Sequence, residues 1–188
     1  MKLSILLASA ALLATPLAAN ALVYQFNASL TGGAQAPTPV VTAATGLATL
    51  SYNDMGTLTT VDDKFSFSMS AFGLSGIATG YHIHAAALAG VNAGVQVNLN
   101  SASFFSSNPG GMLLVGGANV ATPYAGFLSD LQASKAYVNI HTAAHGSGEI
   151  RGQLLQVAVV PEPSTYALLL AGLGMVGMAA RRRSQAGR

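Results

Sequence analysis

Four histidines are the side chains best equipped for chemistry in this 188-residue chain, and they fall in two short motifs. The first is Gly80-Tyr81-His82-Ile83-His84. The second is Tyr137-Val138-Asn139-Ile140-His141-Thr142, followed by His145 and then Gly148-Glu149-Ile150-Arg151-Gly152. Imidazole suits zinc, copper, iron or nickel, so the chemistry on offer is that of a transition-metal ion. On a strand, His82 and His84 project from one face about 6.5–7 Å apart, with Tyr81 and Ile83 on the other. The same parity puts His141 opposite Val138 and Ile140. If the two strands are neighbours, His82, His84 and His141 converge on a single ion, with His145 or Glu149 as a fourth ligand. The alternative is that these histidines only hydrogen-bond loops, or Glu149, across the sheet. Glu149 and Arg151 share a strand face, which predicts an ion pair with each other or a neighbour rather than acid–base catalysis.

Other chemistries find little support. The chain has no cysteine, which excludes disulfides, thiolate metal sites, iron–sulfur clusters and Cys nucleophiles together. No G-x-S-x-G elbow accompanies the abundant serines. Asp54, Asp62, Asp63 and Asp130 sit mostly in turn contexts, where short acids support Asx-turns or are simply solvated. No pair of carboxylates is singled out for glycoside chemistry, and no calcium-loop pattern surrounds Asp62-Asp63. No residue is assigned a catalytic role, and the chain is expected not to be an enzyme.

The elements that must position the histidines are strands. Leu22, Tyr24, Phe26, Ala28 and Leu30 alternate with Val23, Gln25, Asn27 and Ser29. Phe65, Phe67, Met69 and Ala71 alternate with serines, Val95, Val97 and Leu99 with Gln96, Asn98 and Asn100, and Val138 and Ile140 with Tyr137, Asn139 and His141. Period-two patterning marks half-buried strands. Clusters such as Gly32-Gly33, Asn53-Asp54, Asp62-Asp63, Asn92-Ala93-Gly94, Asn108-Pro109-Gly110-Gly111 and Gly146-Ser147-Gly148 separate them. The pattern predicts an all-β, Greek-key-like sandwich or barrel over residues 22–160. Phe127–Ala133 is expected to form one or two helical turns with Ser129 as N-cap. Gly32–Pro39 and Ser101–Gly111 are expected to be surface loops.

Both ends are targeting segments by composition. Lys2, the apolar run Leu3–Leu13, a break at Pro16 and Ala19-Asn20-Ala21 make a secretory signal peptide over residues 1–21, implying export and cleavage by signal peptidase. At the other end Tyr166–Ala180 is a run of 15 uncharged residues ahead of Arg181, Arg182 and Arg183. As a helix this covers about 22 Å of a ~30 Å hydrocarbon core. Extending it back to Pro163 gives 18 residues, a marginal span, with the arginines held on the cytoplasmic side. The expectation is a C-terminal transmembrane sorting helix.

Pro161-Glu162-Pro163, a Gly/Leu-rich hydrophobic segment and the Arg cluster together resemble a PEP-CTERM sorting signal, over residues 161–188. The resemblance implies an exopolysaccharide-making Gram-negative bacterium and recognition by an exosortase. It further implies transient anchoring in the inner membrane, then a place at the cell surface or in the extracellular matrix. On this reading Pro161, Glu162, Pro163, Arg181, Arg182 and Arg183 are a tag for the processing enzyme. A second resemblance is carried by HIH, NAGVQVNLN, YVNIHT and GEIRGQL, which look like a CHRD domain from about Tyr24 to Val157. It implies an extracellular β-rich module of non-catalytic binding or adhesion type, with matrix polysaccharide or protein as partner.

A weaker likeness of GYHIH to copper–zinc superoxide dismutase fails on composition. That enzyme needs more histidines, an Asp and a disulfide, whereas this chain has four histidines and no cysteine. A single-metal site, used in a metal-dependent extracellular enzyme with redox among its chemistries, is the competing reading.

The charge balance divides the same way. Mean hydropathy is +0.48 and pI about 9.1. Five of the eight cations (Lys2, Arg181, Arg182, Arg183, Arg188) lie in the targeting segments. Between Leu22 and Val160 only Lys64, Lys135 and Arg151 face Asp54, Asp62, Asp63, Asp130 and Glu149, a formal charge of −2. Three scattered cations provide no nucleic-acid surface.

Overall fold

The computed structural model describes residues 21–158, 169–177 and 181. The signal segment 1–20, Pro161, Glu162, Pro163, Arg182 and Arg183 lie outside these.

The strands are β1 (Val23–Thr31), β2 (Thr45–Asn53), β3 (Lys64–Phe72), β4 (Ala78–Ala85), β5 (Val95–Asn98), β6 (Phe105–Ser107), β7 (Met112–Ala121), β8 (Ala136–Thr142), β9 (His145–Gln153) and β10 (Leu155–Gln156). They form one ten-stranded sheet in the order β5-β4-β8-β9-β1-β2-β3-β7-β6, with β10 paired to β1. The strand pairings among the described residues are all antiparallel. The chain runs β1-β2-β3 as a meander, then crosses so that β4 pairs with β8 rather than β3. The sheet curls into a half-barrel around one core, so the expected all-β class holds.

The alternating residues do what their period dictates. Phe26, Ala28 and Leu30 of β1, Phe65, Phe67, Met69 and Ala71 of β3, and Val138 and Ile140 of β8 point inward and are buried. Leu99, at the start of the short helix α1 (Leu99–Ala102), and Phe127 and Leu131 of helix α2 (Phe127–Gln132) complete the core. Phe127 stacks obliquely against Phe65 at 5.6 Å and Tyr52 at 6.3 Å, adding specific ring contacts to the buried area.

The two ends of the sheet do not pair. They are blunted by strands of four and three residues, short enough to offer little template for a further strand. The seam is bridged by side chains instead. Asn108 accepts from Ala78 N at 3.0 Å and donates to Ala78 O at 2.8 Å, imitating a ladder pair, and Tyr81 Oη lies 3.1 Å from Ser106 Oγ. Gly152 has a comparable role between β9 and β1. A Cβ there would sit 2.3 Å from Ser29 O, so only glycine lets the two backbones approach.

Four expectations need correction. The α2 N-cap is Gly126, with no side-chain capping bond, so Ser129 lies inside the helix. The segment 101–111 is not all loop, because it holds the end of α1 and edge strand β6. The polar face of β8 is not solvated: Tyr137 and Asn139 are buried, because the β1–β2 and β4–β5 connections fold over it.

The fourth concerns the C-terminus. Among the described residues no helix is long and apolar enough to cross a membrane, which removes the support for the expected transmembrane sorting helix and for transient inner-membrane anchoring. Residues 169–177 are helical, and Gly172, Gly174 and Gly177 each weaken a helix there by about 1 kcal/mol relative to alanine.

Candidate metal centre

The crossover that pairs β4 with β8 assembles the histidines. In register His82 faces Asn139, His84 faces Tyr137 and Gly80 faces His141, all on the outer face. His82, His84 and His141 each bring one ring nitrogen to a common point, these atoms lying within 4.8 Å of one another. Ring centroids are 5.9 Å apart for His82–His84 and 5.1 Å for His82–His141. Three nitrogens around one ion at ~2.0–2.1 Å stand about 3.3–3.6 Å apart, so small side-chain rotations close the set.

Hydrogen bonds identify the nitrogens. His84 Nδ1 lies 2.9 Å from Ala93 O and His141 Nδ1 3.0 Å from Gly146 O. A carbonyl only accepts, so both Nδ1 atoms carry the proton and both Nε2 atoms keep a lone pair. Those Nε2 atoms, with His82 Nδ1, are buried and without a hydrogen-bond partner. Unpartnered buried nitrogens are costly in a native interior, and the same three rings form the convergent group. Backbone carbonyls holding the distal N–H are the usual outer support of metal-binding imidazoles. Burial holds the pKa of His82 below the ordinary value, with His141 and His84 lowering it further. Burial does the same for His84, against the opposing Ala93 carbonyl bond. Both rings therefore stay neutral, and ligand-competent, at neutral pH. His82 and His141 are half-buried as residues, while the unpartnered nitrogens themselves are buried.

The two candidate fourth ligands do not join. His145 begins β9, opposite Thr142, and is not in the convergent group. Glu149 is fully buried and saturated: it accepts from Thr142 Oγ1 (2.6 Å), Thr42 Oγ1 (2.8 Å), Ser75 Oγ (2.8 Å) and Ser75 N (3.0 Å). Nor does Glu149 pair with Arg151. The Arg151 guanidinium donates to Asn92 Oδ1 (3.0 Å) and Val91 O (2.7 Å) and lies 3.4 Å from the centroid of the Tyr137 ring. His84 stacks on Tyr137 at 4.7 Å, the planes 3° apart. Tyr137 thus sits between β4 and β9 neighbours, carrying an imidazole and a guanidinium.

Several contributors escape a reading of residue types. Ala93 and Gly146 act through backbone oxygens, and only the turn residues around them give a signal. Gly80 is legible in hindsight as the glycine two places before His82. A Cβ there would lie 3.0 Å from His82 Cε1, tighter than packed rings tolerate. Gly80→Ala should therefore tilt His82 off the common point. Metal affinity is expected to fall about tenfold while the fold persists, in line with losses from disturbed supporting residues. Competition titration against a chromophoric chelator measures this, and an unchanged affinity would show that Gly80 does not set the ring.

The family model described as CHRD domain matches residues 26–154, and that described as PEP-CTERM protein-sorting motif matches residues 159–183. No curated protein and no solved structure matches.

Proposed function

The chain belongs to the CHRD domain family, with a PEP-CTERM motif behind the domain, and from that premise we propose that its β-domain is a non-catalytic surface module that binds one transition-metal ion. The architecture is that of an exported, exosortase-processed surface or matrix protein. The His82–His84–His141 cluster is able to hold a single ion. The finer statement is that His82 Nδ1, His84 Nε2 and His141 Nε2 take a late first-row ion, copper or zinc, for which an all-imidazole set is suited. Signal peptidase removes the N-terminal segment, and matrix polysaccharide or protein is the macromolecular partner.

The observation that carries the metal reading is the convergence of three buried nitrogens whose lone pairs nothing else uses. Binding is favoured over turnover because the nearby carboxylate, Glu149, is committed to four donors and is not free to move a proton. The competing reading, a metal-dependent extracellular enzyme with redox chemistry, draws on the three-residue ligand set, which leaves a coordination position for a substrate. Elemental analysis of the exported protein, equilibrated with copper or zinc and then desalted, is expected to give one ion per chain. A metal content near zero would sink the proposal. A full complement with turnover of a redox substrate would transfer support to the enzyme reading.

A further inference from the structure

The buried guanidinium of Arg151 has no carboxylate to answer it. All five acids of the domain are engaged elsewhere. Glu149 binds hydroxyls, Asp63 holds Tyr52 Oη, Asp130 holds Tyr124 Oη, Asp62 holds Thr57 Oγ1, and Asp54 holds the Leu22 and Gly56 amides. Arg151 is 1% exposed, and a charge so deeply placed costs several kcal/mol unless it is paired. Its two terminal nitrogens meet neutral oxygens and its face meets Tyr137. These bonds spend two of the guanidinium's five N–H donors. Arg151 also lines a cavity of about 230 Å³ between the β1–β2 and β4–β5 connections, walled by Gly33, Ala34, Ala89 and Gly90. The other long side chains at this cavity are Gln35 and Gln153. Gln153 spends its Nε2 on Ala87 O and Ser134 O, which leaves its Oε1 buried and unpartnered.

We propose that this cavity is a binding site for a small hydroxylated carboxylate, of the kind an acidic sugar residue presents. The carboxylate takes the unspent guanidinium N–H, because charge-assisted bonds to Arg are the strong ones. The Oε1 atoms of Gln153 and Gln35, whose Nε2 groups are bonded elsewhere, accept from ring hydroxyls. The volume falls below the ~300–1,000 Å³ of drug-sized pockets, which limits the occupant to about one sugar ring. The site is separate from the histidine centre and does not require it to hold metal.

The test is calorimetric titration of the exported protein, freed of metal, with sodium D-glucuronate, D-glucose and acetate. Glucuronate is expected to bind in the millimolar range or tighter, with glucose and acetate each at least tenfold weaker. Ala34→Phe fills the cavity from an exposed position and leaves Arg151 in place. It should abolish glucuronate binding without changing thermal stability by more than a few degrees. Arg151→Lys, which keeps charge but loses the planar fork, should weaken binding at least tenfold. No glucuronate binding by 50 mM (roughly the weakest useful range,) would overturn the proposal. So would equal binding of glucose, equal binding of acetate, or binding that survives Ala34→Phe.

Discussion

Replacing His141 by alanine is expected to weaken binding of copper or zinc by about a hundredfold or more, with little change in the metal-free protein. His141 Nε2 is a buried, unpartnered nitrogen of the convergent group, and its other nitrogen only meets Gly146 O at the exposed start of β9. Loss of a supporting residue around a metal typically costs 10–100-fold, and loss of a ligand itself costs more. A hundredfold is about 2.7 kcal/mol. The consequence is also visible as stability. An ion held at a concentration 1,000 times its Kd adds about 4 kcal/mol to the folded state, about 10–20 °C in Tm for a domain of this size. The wild-type protein should show that rise on metal addition, and His141→Ala should lose most of it. A variant that binds within threefold of wild type would remove His141 from the centre.

Glu149→Ala is expected to be the most destabilising single change in the domain, at about 3–4 kcal/mol. The carboxylate gathers Thr42 from the β1–β2 connection, Ser75 from the β3–β4 connection and Thr142 from the end of β8. The hydroxyls can partly re-pair, since Ser75 Oγ and Thr142 Oγ1 are already 2.9 Å apart. The Ser75 amide cannot rotate to a new acceptor, and a buried unsatisfied donor costs about 1–3 kcal/mol beyond the charge-assisted bonds lost.

The same carboxylate gives a pH signature. Burial acts to raise its pKa, but the bonds from Thr142, Ser75 and Thr42 outweigh burial and hold it below the ordinary glutamate value. A carboxylate with a depressed folded pKa adds stability that is complete above the unfolded value, about 4.3, and is lost as pH falls through the lower folded value. Urea unfolding should therefore show a plateau near neutrality and a decline below about pH 4.5. Glu149→Gln should lower the plateau by about 2 kcal/mol and flatten that decline. A loss under 1 kcal/mol in Glu149→Ala, or an unaltered acid limb in Glu149→Gln, would show that the cluster is not what ties the connections together.

The histidine pair was legible because strand parity is a local property. Once Gly80–His84 is a strand, His82 and His84 must share a face, whatever lies around them. The same rule placed Phe65, Phe67, Met69 and Ala71 inward, and they are buried. Parity failed on the outer face of β8, where Tyr137 and Asn139 alternate with core residues yet are themselves covered. Alternation reports only that two faces differ, and cannot report that two loops return to roof the polar one. The ion pair expected between Glu149 and Arg151 failed for the same reason. Sharing a face does not fix a partner when nearer hydroxyls and carbonyls arrive from distant connections.

By itself the sequence determined the all-β class, the inward residues of its strands, the tag at its C-terminus and a mildly acidic domain ahead of that tag. It named His82, His84 and His141 as ligands if their strands were neighbours. Tertiary structure alone decided that they are, through the crossover that pairs β4 with β8 across 50 intervening residues. It also decided which nitrogens are free, through Ala93 O and Gly146 O, and it left His145 and Glu149 out of the group. The reason is physical. Periodicity and turn chemistry are set within a few residues, whereas a metal site, a buried carboxylate and an uncompensated guanidinium depend on where the folded chain brings distant donors and acceptors together.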